Sequence, residues 1–212
     1  MNMRRAYVTV MILIVFLAVG CGPRGIRYTA TLHDLTCSSS RSIAVAVLDE
    51  RPYILKKEKD PSYVGLIRGG YGNPFDMWTE SGAPLAEDML HTITDSLRAR
   101  GFEVTPLKTA AVNSREAALA GFKAADTDRL LLLVIREWYS DYIPAAYTPE
   151  RSNLFVHVEA GVFNRNQKKT AGKNLMEDLT LPSGWPYETI PSVYQSKISG
   201  LINDSRICRA LQ

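Results

Sequence analysis

The sequence has few of the residues on which metal and redox chemistry depend. Its 212 residues include three cysteines and three histidines, and no CxxC or HxxxH spacing occurs among them. Zinc sites need several such ligands at short spacings. We therefore predict no metal site, and nothing in the sequence indicates a cofactor.

Recognised catalytic motifs are also missing. The glycine-rich residues 65–72 lack the order of Lys and Ser/Thr that a phosphate-binding loop requires, and no G-x-S-x-G elbow is present. His157 and Glu159 have the H-x-E spacing of a zinc deaminase, but the accompanying Pro-Cys-x-x-Cys is absent. The sequence therefore predicts no catalytic residue and a protein that is not an enzyme. A hydrolase of unrecognised type is the alternative.

Charge of one sign is scarce as well. The formal net charge is +3, and Arg4 and Arg5 are the only charged residues before position 21. The remainder of the chain carries 23 basic and 22 acidic side chains. Because no basic stripe with stacking aromatics occurs, we predict that the protein does not bind nucleic acid.

The amino terminus has the parts of a secretory signal. Arg4 and Arg5 precede an apolar run over residues 6–20, which is too short for an ordinary membrane span, and small residues lie before Cys21. A cysteine at this position is similar to the cysteine of a bacterial lipobox. We predict a signal peptide over residues 1–20 and lipid attachment at Cys21. The alternative is an ordinary signal peptide that a cysteine happens to follow.

The predicted lipid would be the membrane attachment of the mature chain. Two or three acyl chains anchor a protein firmly, whereas one binds marginally. Gly22 stands where Asp would favour retention in the inner membrane of enterobacteria, so we predict the outer membrane and its periplasmic face. Residues 21–41 are rich in Gly, Ser, Thr and Arg and are predicted to form a lipidated tether.

Two cysteines remain after Cys21. Cys37 and Cys208 would face an oxidising space in an exported protein, so they could form one disulfide between the tether and the C-terminal tail. Two unpaired thiols are the alternative, because a sequence does not give the geometry that a disulfide needs.

Residues 42–212 predict a single α+β periplasmic domain. Apolar periodicity and turn residues give the order β-α-β-α-β-β-β-α, which predicts a two-layer fold with a mixed β-sheet and helices packed on one face. The last three strands are predicted to form a meander. Predicted strands lie at 42–48, 102–105, 129–139, 153–164 and 173–181, and predicted helices begin at Pro84, Ala117 and Ile190.

The segment over residues 50–83 is unusually long for a connection. It is rich in Pro and Gly, yet it contains more aromatic residues than a solvated linker would. We predict an ordered excursion, which either packs on itself or forms a surface together with Asp49 and Arg51. Its aromatic residues are Tyr53, Tyr63, Tyr71, Phe75 and Trp78.

A second aromatic group follows the predicted central strand. Trp138, Tyr139, Tyr142 and Tyr147 lie close together in the sequence, near charged residues. Trp, Tyr and Arg dominate the energetics of protein interfaces, so these residues form a candidate surface for a partner or a glycan. Packing at the edge of the core is the alternative.

Four stretches of the chain resemble the YajG-like family of uncharacterised bacterial outer-membrane lipoproteins. The resemblance covers roughly the second half of the chain, and it implies a periplasm-facing domain without established catalytic residues. The chain departs from the family pattern in residues 50–83 and in Cys37 and Cys208. The stretches are 99–104 (ARGFEV), 131–142 (LLLVIREWYSDY), 157–174 (HVEAGVFNRNQKKTAGKN) and 201–211 (LINDSRICRAL).

Together these features predict a lipid-anchored, non-catalytic binding or assembly module of the cell envelope. We expect the membrane and an envelope protein as its partners. The alternative is a glycan- or peptidoglycan-binding lipoprotein that uses Trp138, Tyr139 and Tyr142.

Overall fold

The computed structural model describes residues 25–29, 34–69, 71–108, 114–145 and 149–212. Cys21 and Tyr147, both predicted site residues, lie outside this part of the chain. The strands are β1 (Ser42–Asp49), β2 (Tyr63–Arg68), β3 (Pro74–Trp78), β4 (Glu103–Pro106), β5 (Arg129–Ile143), β6 (Arg151–Asn164) and β7 (Lys169–Thr180). The helices are α1 (Pro52–Leu55), α2 (Leu85–Ala99), α3 (Arg115–Ala125), α4 (Pro186–Ile202) and α5 (Ser205–Leu211).

The long strand β5 organises a seven-stranded mixed sheet. It pairs antiparallel with β6 from Arg129 to Ile143. Its other edge is divided, because the first half pairs parallel with β1 and the second half pairs parallel with β2. The remaining strands extend the sheet: β4 next to β1, β3 next to β2 and β7 next to β6. The predicted meander over β5, β6 and β7 is therefore present.

One face of the sheet carries the main core. Alternate residues of the strands point to this face, and α2, α4 and α5 cover it. Helix α2 begins after Pro84 and ends before Gly101, whose φ of 90° favours glycine. Its apolar stripe is buried against the sheet at Leu85, Met89, Ile93 and Leu97.

Helix α3 packs on the opposite face of the sheet. Ala118 and Phe122 of this helix are buried against Ala46 and Leu132. The α+β class and the mixed sheet are confirmed, but the prediction that the helices pack on one face is wrong for α3. The physical reason is that β1 and the first half of β5 are apolar on both faces, so each face needs a cover.

Much of the predicted tether belongs to the folded domain. Ile26 and Tyr28 are buried in the main core, as are Leu35 and Cys37. Ile26 pairs with Thr79 in a parallel bridge beside β3. The prediction of a tether over residues 21–41 is therefore wrong for these stretches, since their apolar side chains complete the core.

The C-terminal tail is attached to the same N-terminal stretch. Cys37 and Cys208 form a disulfide with their Cα atoms 5.4 Å apart. Beside it, the side chain of Asn203 accepts a hydrogen bond from the Thr36 backbone N–H at 2.8 Å and donates one to the Asp34 carbonyl at 2.9 Å. These contacts fix residues 34–37 against the junction of α4 and α5.

The segment over residues 50–83 is an ordered insertion into the sheet. Its short helix α1 is followed by the β2–β3 hairpin, whose first strand pairs with β5 beyond the end of β1. The aromatic content of this segment predicts order here, which is confirmed, but no sequence pattern predicts either of these strands. No helix in the described residues is long and apolar enough to cross a membrane.

Candidate functional surface

A buried arginine fills the fork where β1 and β2 diverge along β5. The guanidinium of Arg51, which is completely buried, donates to both carboxylate oxygens of Asp49 at 2.8 and 2.7 Å. It also donates to the carbonyls of Tyr63 at 2.5 Å and Pro61 at 2.9 Å. Burial acts to lower the pKa of Arg51, but the hydrogen bonds and charge of Asp49 outweigh it, so the pKa is raised. Arg51 therefore has a structural role that positions α1 and the hairpin.

Beyond this fork, the second face of the sheet carries the short helix α1 and, among the described residues, no longer helix. Its side chains form what we call the aromatic face, defined as Tyr53, Tyr63, Trp78, Tyr139 and Phe155. The Tyr63 ring lies 5.6 Å from Tyr53 and 6.0 Å from Trp78, centroid to centroid, with edge-to-face geometry. Tyr139 lies 6.4 Å from Tyr63 and 5.9 Å from Phe155. The five rings thus form one continuous cluster across α1, β2, β3, β5 and β6.

The aromatic face is half open to solvent. Tyr63 is buried, whereas Tyr53, Trp78, Tyr139 and Phe155 are half-buried. Burial raises the pKa of Tyr53, against the opposing charge of Arg51, and its hydroxyl donates to Glu137 at 2.6 Å. Burial likewise raises the pKa of Tyr63 and of Tyr139. These phenols stay protonated at physiological pH and present a neutral, hydrogen-bonding aromatic surface.

Ion pairs border the aromatic face on the hairpin side. Arg68 donates to both carboxylate oxygens of Asp141 at 2.8 and 2.9 Å. Lys59 pairs with Asp76 at 2.6 Å, and its ammonium group lies 4.7 Å from the centre of the Tyr63 ring. An apolar centre with a charged rim is the usual anatomy of a protein interface.

A second charged group borders the opposite side. A bulge in β5 between Ile135 and Glu137 turns Arg136 toward Glu159, to which it donates at 3.0 Å, and toward Glu50. His157 lies between this group and the rings, with its Nε2 atom 4.0 Å from a Glu159 carboxylate oxygen. This distance is too long for a hydrogen bond.

A shallow groove of 560 Å³ continues from Glu159 toward the outer strand β7. Lys169 lies across Gly161 and Gly172 there, and a Cβ at Gly172 would come within 2.7 Å of its Nζ atom. The groove is polar and open, and within the described residues no group of three His, Cys, Asp or Glu side chains could hold a metal ion. The groove therefore offers polar and charged side chains that could contact a bound ligand.

The structure separates the residues of the predicted aromatic surface. Trp138 is completely buried in the main core, where its indole N–H donates to the Tyr28 hydroxyl at 2.8 Å. Tyr142 is 3% exposed and points to the same side. Of Trp138, Tyr139 and Tyr142, only Tyr139 contributes to the aromatic face, because neighbouring residues on a strand point to opposite sides. The prediction of a surface at Trp138 and Tyr142 is therefore wrong.

The sequence patterns indicated Tyr53, Tyr63 and Trp78 as parts of a candidate surface in residues 50–83, but they gave no indication of Phe155 or Glu137. The strict alternation of β6 does place Phe155, His157 and Glu159 on one side, and this signal was interpreted as ordinary solvent exposure. The contribution of Tyr53 depends on the way α1 folds back over β5, which no local pattern indicates.

Comparison with known structures identifies relatives of the fold. The chain superposes on XCC0632 from Xanthomonas campestris, a protein of the DUF330 family, with a TM-score of 0.51 and 13% identity over 89% of this chain and 94% of that chain. It is similar to the lipoprotein GNA1162 from Neisseria meningitidis, with a TM-score of 0.44 and 16% identity over 78% and 99% of the two chains. PelC from Paraburkholderia phytofirmans, a dodecamer, gives a TM-score of 0.43 and 13% identity over 82% and 92%.

These likenesses concern the fold alone. No family model and no curated protein matches the sequence. The resemblance to the YajG-like family therefore stays a prediction from the sequence.

Proposed function

We propose that the protein is a lipid-anchored envelope protein on the periplasmic face of the outer membrane, where it acts as a non-catalytic binding or assembly module. The signal-like residues 1–20 and Cys21 support the anchor. The observation that carries the binding role is the aromatic face, a continuous cluster of half-exposed rings that ion pairs border. Its partner is another protein of the envelope.

The composition of the aromatic face fits a protein partner. Aromatic rings provide a large contact area at a low cost in side-chain entropy, and they dominate interface hot spots. Tyr139 lies 6.4 Å from the buried Tyr63 ring and 5.9 Å from Phe155, so it joins Phe155 to the rest of the cluster. Charged rims increase the rate and specificity of association, and the Arg68–Asp141 and Arg136–Glu159 pairs would have this role.

Crosslinking in living cells tests the binding role. A photoreactive amino acid at Tyr139 should yield one reproducible adduct with an envelope protein, and Phe155→Ala should reduce its yield at least tenfold. The matched control places the same amino acid at His91, which is exposed on α2. An adduct of the same pattern from both sites, or none from Tyr139, would contradict the proposal.

The anchor has its own test. Cys21→Ser should leave an unprocessed precursor or release the protein from the membrane, whereas the unaltered protein should be acylated by mass spectrometry. Recovery of the acylated protein in inner-membrane fractions would contradict the proposed location.

Glycan binding is a second candidate for the same aromatic face. Tyr139 and Phe155 are tilted by 33° relative to each other, and the carboxylates of Glu137 and Asp141 lie on the same strand face as Tyr139. Rings beside carboxylates can stack on and hydrogen-bond to sugars. Purified cell-wall sacculi should then retain the protein, and Tyr139→Ala with Phe155→Ala should abolish retention. Equal retention of the double variant and the unaltered chain would exclude this role.

A further inference from the structure

The three edge strands of the sheet, in the described part of the chain, differ in their protection against pairing. β3 has five residues and β4 has four, and each includes a proline, Pro74 and Pro106. Short length and proline both keep an edge strand from pairing with another chain. β7 has twelve residues and no proline, and it pairs with β6 alone. The outer edge of β7 is therefore the least protected of the three.

Alternate backbone groups of β7 point away from the sheet. The Leu181 N–H donates to the Ser152 carbonyl of β6 at 2.7 Å, so the odd-numbered residues point their N–H and C=O groups toward β6. Residues 171–179 pair with β6 without a register shift, so the outward row is regular as well. The residues whose backbone groups point outward in this stretch are Gly172, Asn174, Met176 and Asp178.

Apolar side chains along the same edge are incompletely covered. Ala171, Leu175 and Leu179 pack against the main core, yet each is only half-buried. On the second face, Met176 is 74% exposed beside His157, its neighbour on β6. The outer edge of β7 thus combines outward backbone groups with apolar surface on both sides of the strand.

The two halves of β7 carry opposite charges. Lys169 and Lys173 lie in the first half, and Glu177 and Asp178 lie in the second. Two copies of such a strand attract each other when they run antiparallel, because each basic half then faces an acidic half. A second copy of this chain therefore has the charge pattern that this edge requires.

An antiparallel pair centred on Leu175 matches the side chains on the core side of the sheet. It places Lys173 opposite Glu177 of the second copy, Ala171 opposite Leu179, and Leu175 opposite Leu175. Opposite charges and apolar pairs at directly opposed positions are the contacts that stabilise antiparallel strands. Each half-buried apolar residue of the edge would then gain an apolar neighbour.

The same register matches the second face. The side chain of Lys169 lies across Gly172, where a Cβ would come within 2.7 Å of its Nζ atom. Gly172 would be opposite Asp178 of the second copy, which places this carboxylate beside the Lys169 ammonium group. The groove along β7 is thereby filled by a complementary charge.

Other registers lose these matches. A shift by two residues places Lys173 opposite Leu175 or Leu179, a charge against an apolar side chain. A shift by one residue joins the second face of one copy to the core side of the other. The register centred on Leu175 is therefore the one that the side chains specify.

The charged residues on the core side remain accessible despite contacts within the chain. Lys173 lies 3.5 Å from Asp204, and Glu177 pairs with Lys197 of α4. The Lys173 and Glu177 side chains are nevertheless 41% and 38% exposed. Contacts across the edge would extend these two ion pairs into a network.

We propose that a second copy of this chain pairs antiparallel along the outer edge of β7, centred on Leu175. Asn174 then exchanges backbone hydrogen bonds with Met176 of the second copy, and Gly172 does so with Asp178. The contact is a closed two-fold one that leaves neither β7 edge unpaired. Because the axis is perpendicular to the sheet, both aromatic faces lie on the same side, where one partner can contact two copies. The proposal does not depend on the lipid anchor.

A cysteine on the two-fold axis tests this pairing in the purified full chain. Leu175 faces itself at a position without backbone hydrogen bonds across the pair, where Cα atoms lie about 4.5 Å apart, within disulfide range. Mild oxidation of Leu175→Cys should therefore give a covalent dimer that a reductant converts to monomer. Failure of Leu175→Cys to form this dimer would overturn the proposal.

Leu179→Cys is the matched control. Its counterpart in the second copy would be eight residues away along the pair, about 27 Å, so this variant should stay monomeric. Addition of Ala171→Cys should restore the covalent dimer, because position 171 faces position 179. Equal dimer yields from Leu175→Cys and Leu179→Cys would show random collision and would overturn the proposal.

A charge exchange tests the register. In the Leu175→Cys background, Lys173→Glu should lower the dimer yield at least fivefold, and addition of Glu177→Lys should restore it. The exchanged chain has like charges against Asp204 and Lys197, so contacts within one copy cannot explain a recovery. An unchanged yield with Lys173→Glu, or no recovery on exchange, would overturn the register.

Sedimentation of the unaltered full chain in detergent provides a measurement without cysteine substitutions. The unaltered chain should sediment as a dimer and Lys173→Glu as a monomer. Circular dichroism should give both chains the same secondary-structure content, since the substitution lies on an exposed edge. A monomeric unaltered chain would contradict the proposal.

Discussion

Arg51 and Asp49 form a buried ion pair at the point where the sheet divides. The side chain of Arg51 is completely buried and that of Asp49 is 10% exposed. The pair closes the gap between β1 and β2 along β5, and the remaining N–H groups of Arg51 satisfy carbonyls of the inserted segment. It connects the first strand to the segment that carries three of the five rings of the aromatic face.

Replacement of Arg51 should strongly destabilise the domain. Arg51→Met leaves the buried Asp49 carboxylate without its cationic partner, and such changes cost about 3–5 kcal/mol. Urea unfolding should reveal this loss. Asp49→Leu combined with Arg51→Met should recover part of it, because no uncompensated charge remains.

The control for Arg51 is Arg27→Ala. Arg27 pairs with Glu80 on the surface, where both side chains are about half exposed. Its removal should leave the unfolding midpoint unchanged. If Arg51→Met unfolds at the same midpoint as the unaltered chain, the buried pair has no role in stability.

The disulfide should contribute strongly to stability. Cys37 and Cys208 are separated by 171 positions, and their bond closes most of the domain into a loop. Replacement of both cysteines by Ala should lower the free energy of unfolding by about 2–5 kcal/mol. A thiol reductant should lower it similarly in the unaltered chain and have no further effect on the double variant. A reductant effect on the double variant would refute this explanation.

Local sequence patterns were sufficient to predict most of the elements. The strand β1 is buried on both faces and reads as an unbroken apolar run, whereas α2 and β6 show the helical spacing and the alternation that are typical of their elements. β2 and β3 were missed because each is short and interrupted. Gly65, for example, is required where a Cβ would lie 2.1 Å from the Ser140 carbonyl oxygen. That requirement arises from the neighbouring strand and leaves no local period.

The aromatic face was harder to predict, because the side of the sheet to which the aromatic residues of β5 point depends on the bulge between Ile135 and Glu137. The extra residue near Arg136 sets which side of the sheet Trp138 and Tyr139 face. Sequence proximity grouped these two aromatics, but the strand separates them. The prediction of a tether over residues 21–41 failed for a related reason. Ile26, Tyr28 and Leu35 are isolated apolar residues in the sequence, and they are buried only because strands and helices distant in the sequence pack around them.

The separation of Trp138 and Tyr139 has a measurable consequence. Trp138 packs edge-to-face with Tyr28 and Tyr194, at 6.2 and 5.6 Å between ring centres. Trp138→Ala should cost about 3–5 kcal/mol in urea unfolding, since it leaves a cavity and an unpaired Tyr28 hydroxyl. Tyr139→Ala should cost about 1 kcal/mol, a typical value for a point mutant. Equal losses would contradict the assignment of the two residues to core and surface.

Asp88 should make stability depend on pH in a defined direction. This residue of α2 is 3% exposed, and its burial raises its pKa. Hydrogen bonding from the Ser81 hydroxyl, which lies 2.9 and 2.8 Å from the two carboxylate oxygens, partly opposes the rise. A raised pKa in the folded state means that folding favours the protonated acid. Its contribution to stability is therefore present below the unfolded pKa of about 3.9 and is lost as the pH rises through the higher folded value. Asp88→Asn, which stays neutral, should stabilise the domain relative to the unaltered chain more at pH values near neutrality than near the unfolded pKa. Urea unfolding of both chains across this range measures the difference, and an advantage for Asn that grows as the pH falls would contradict the sign.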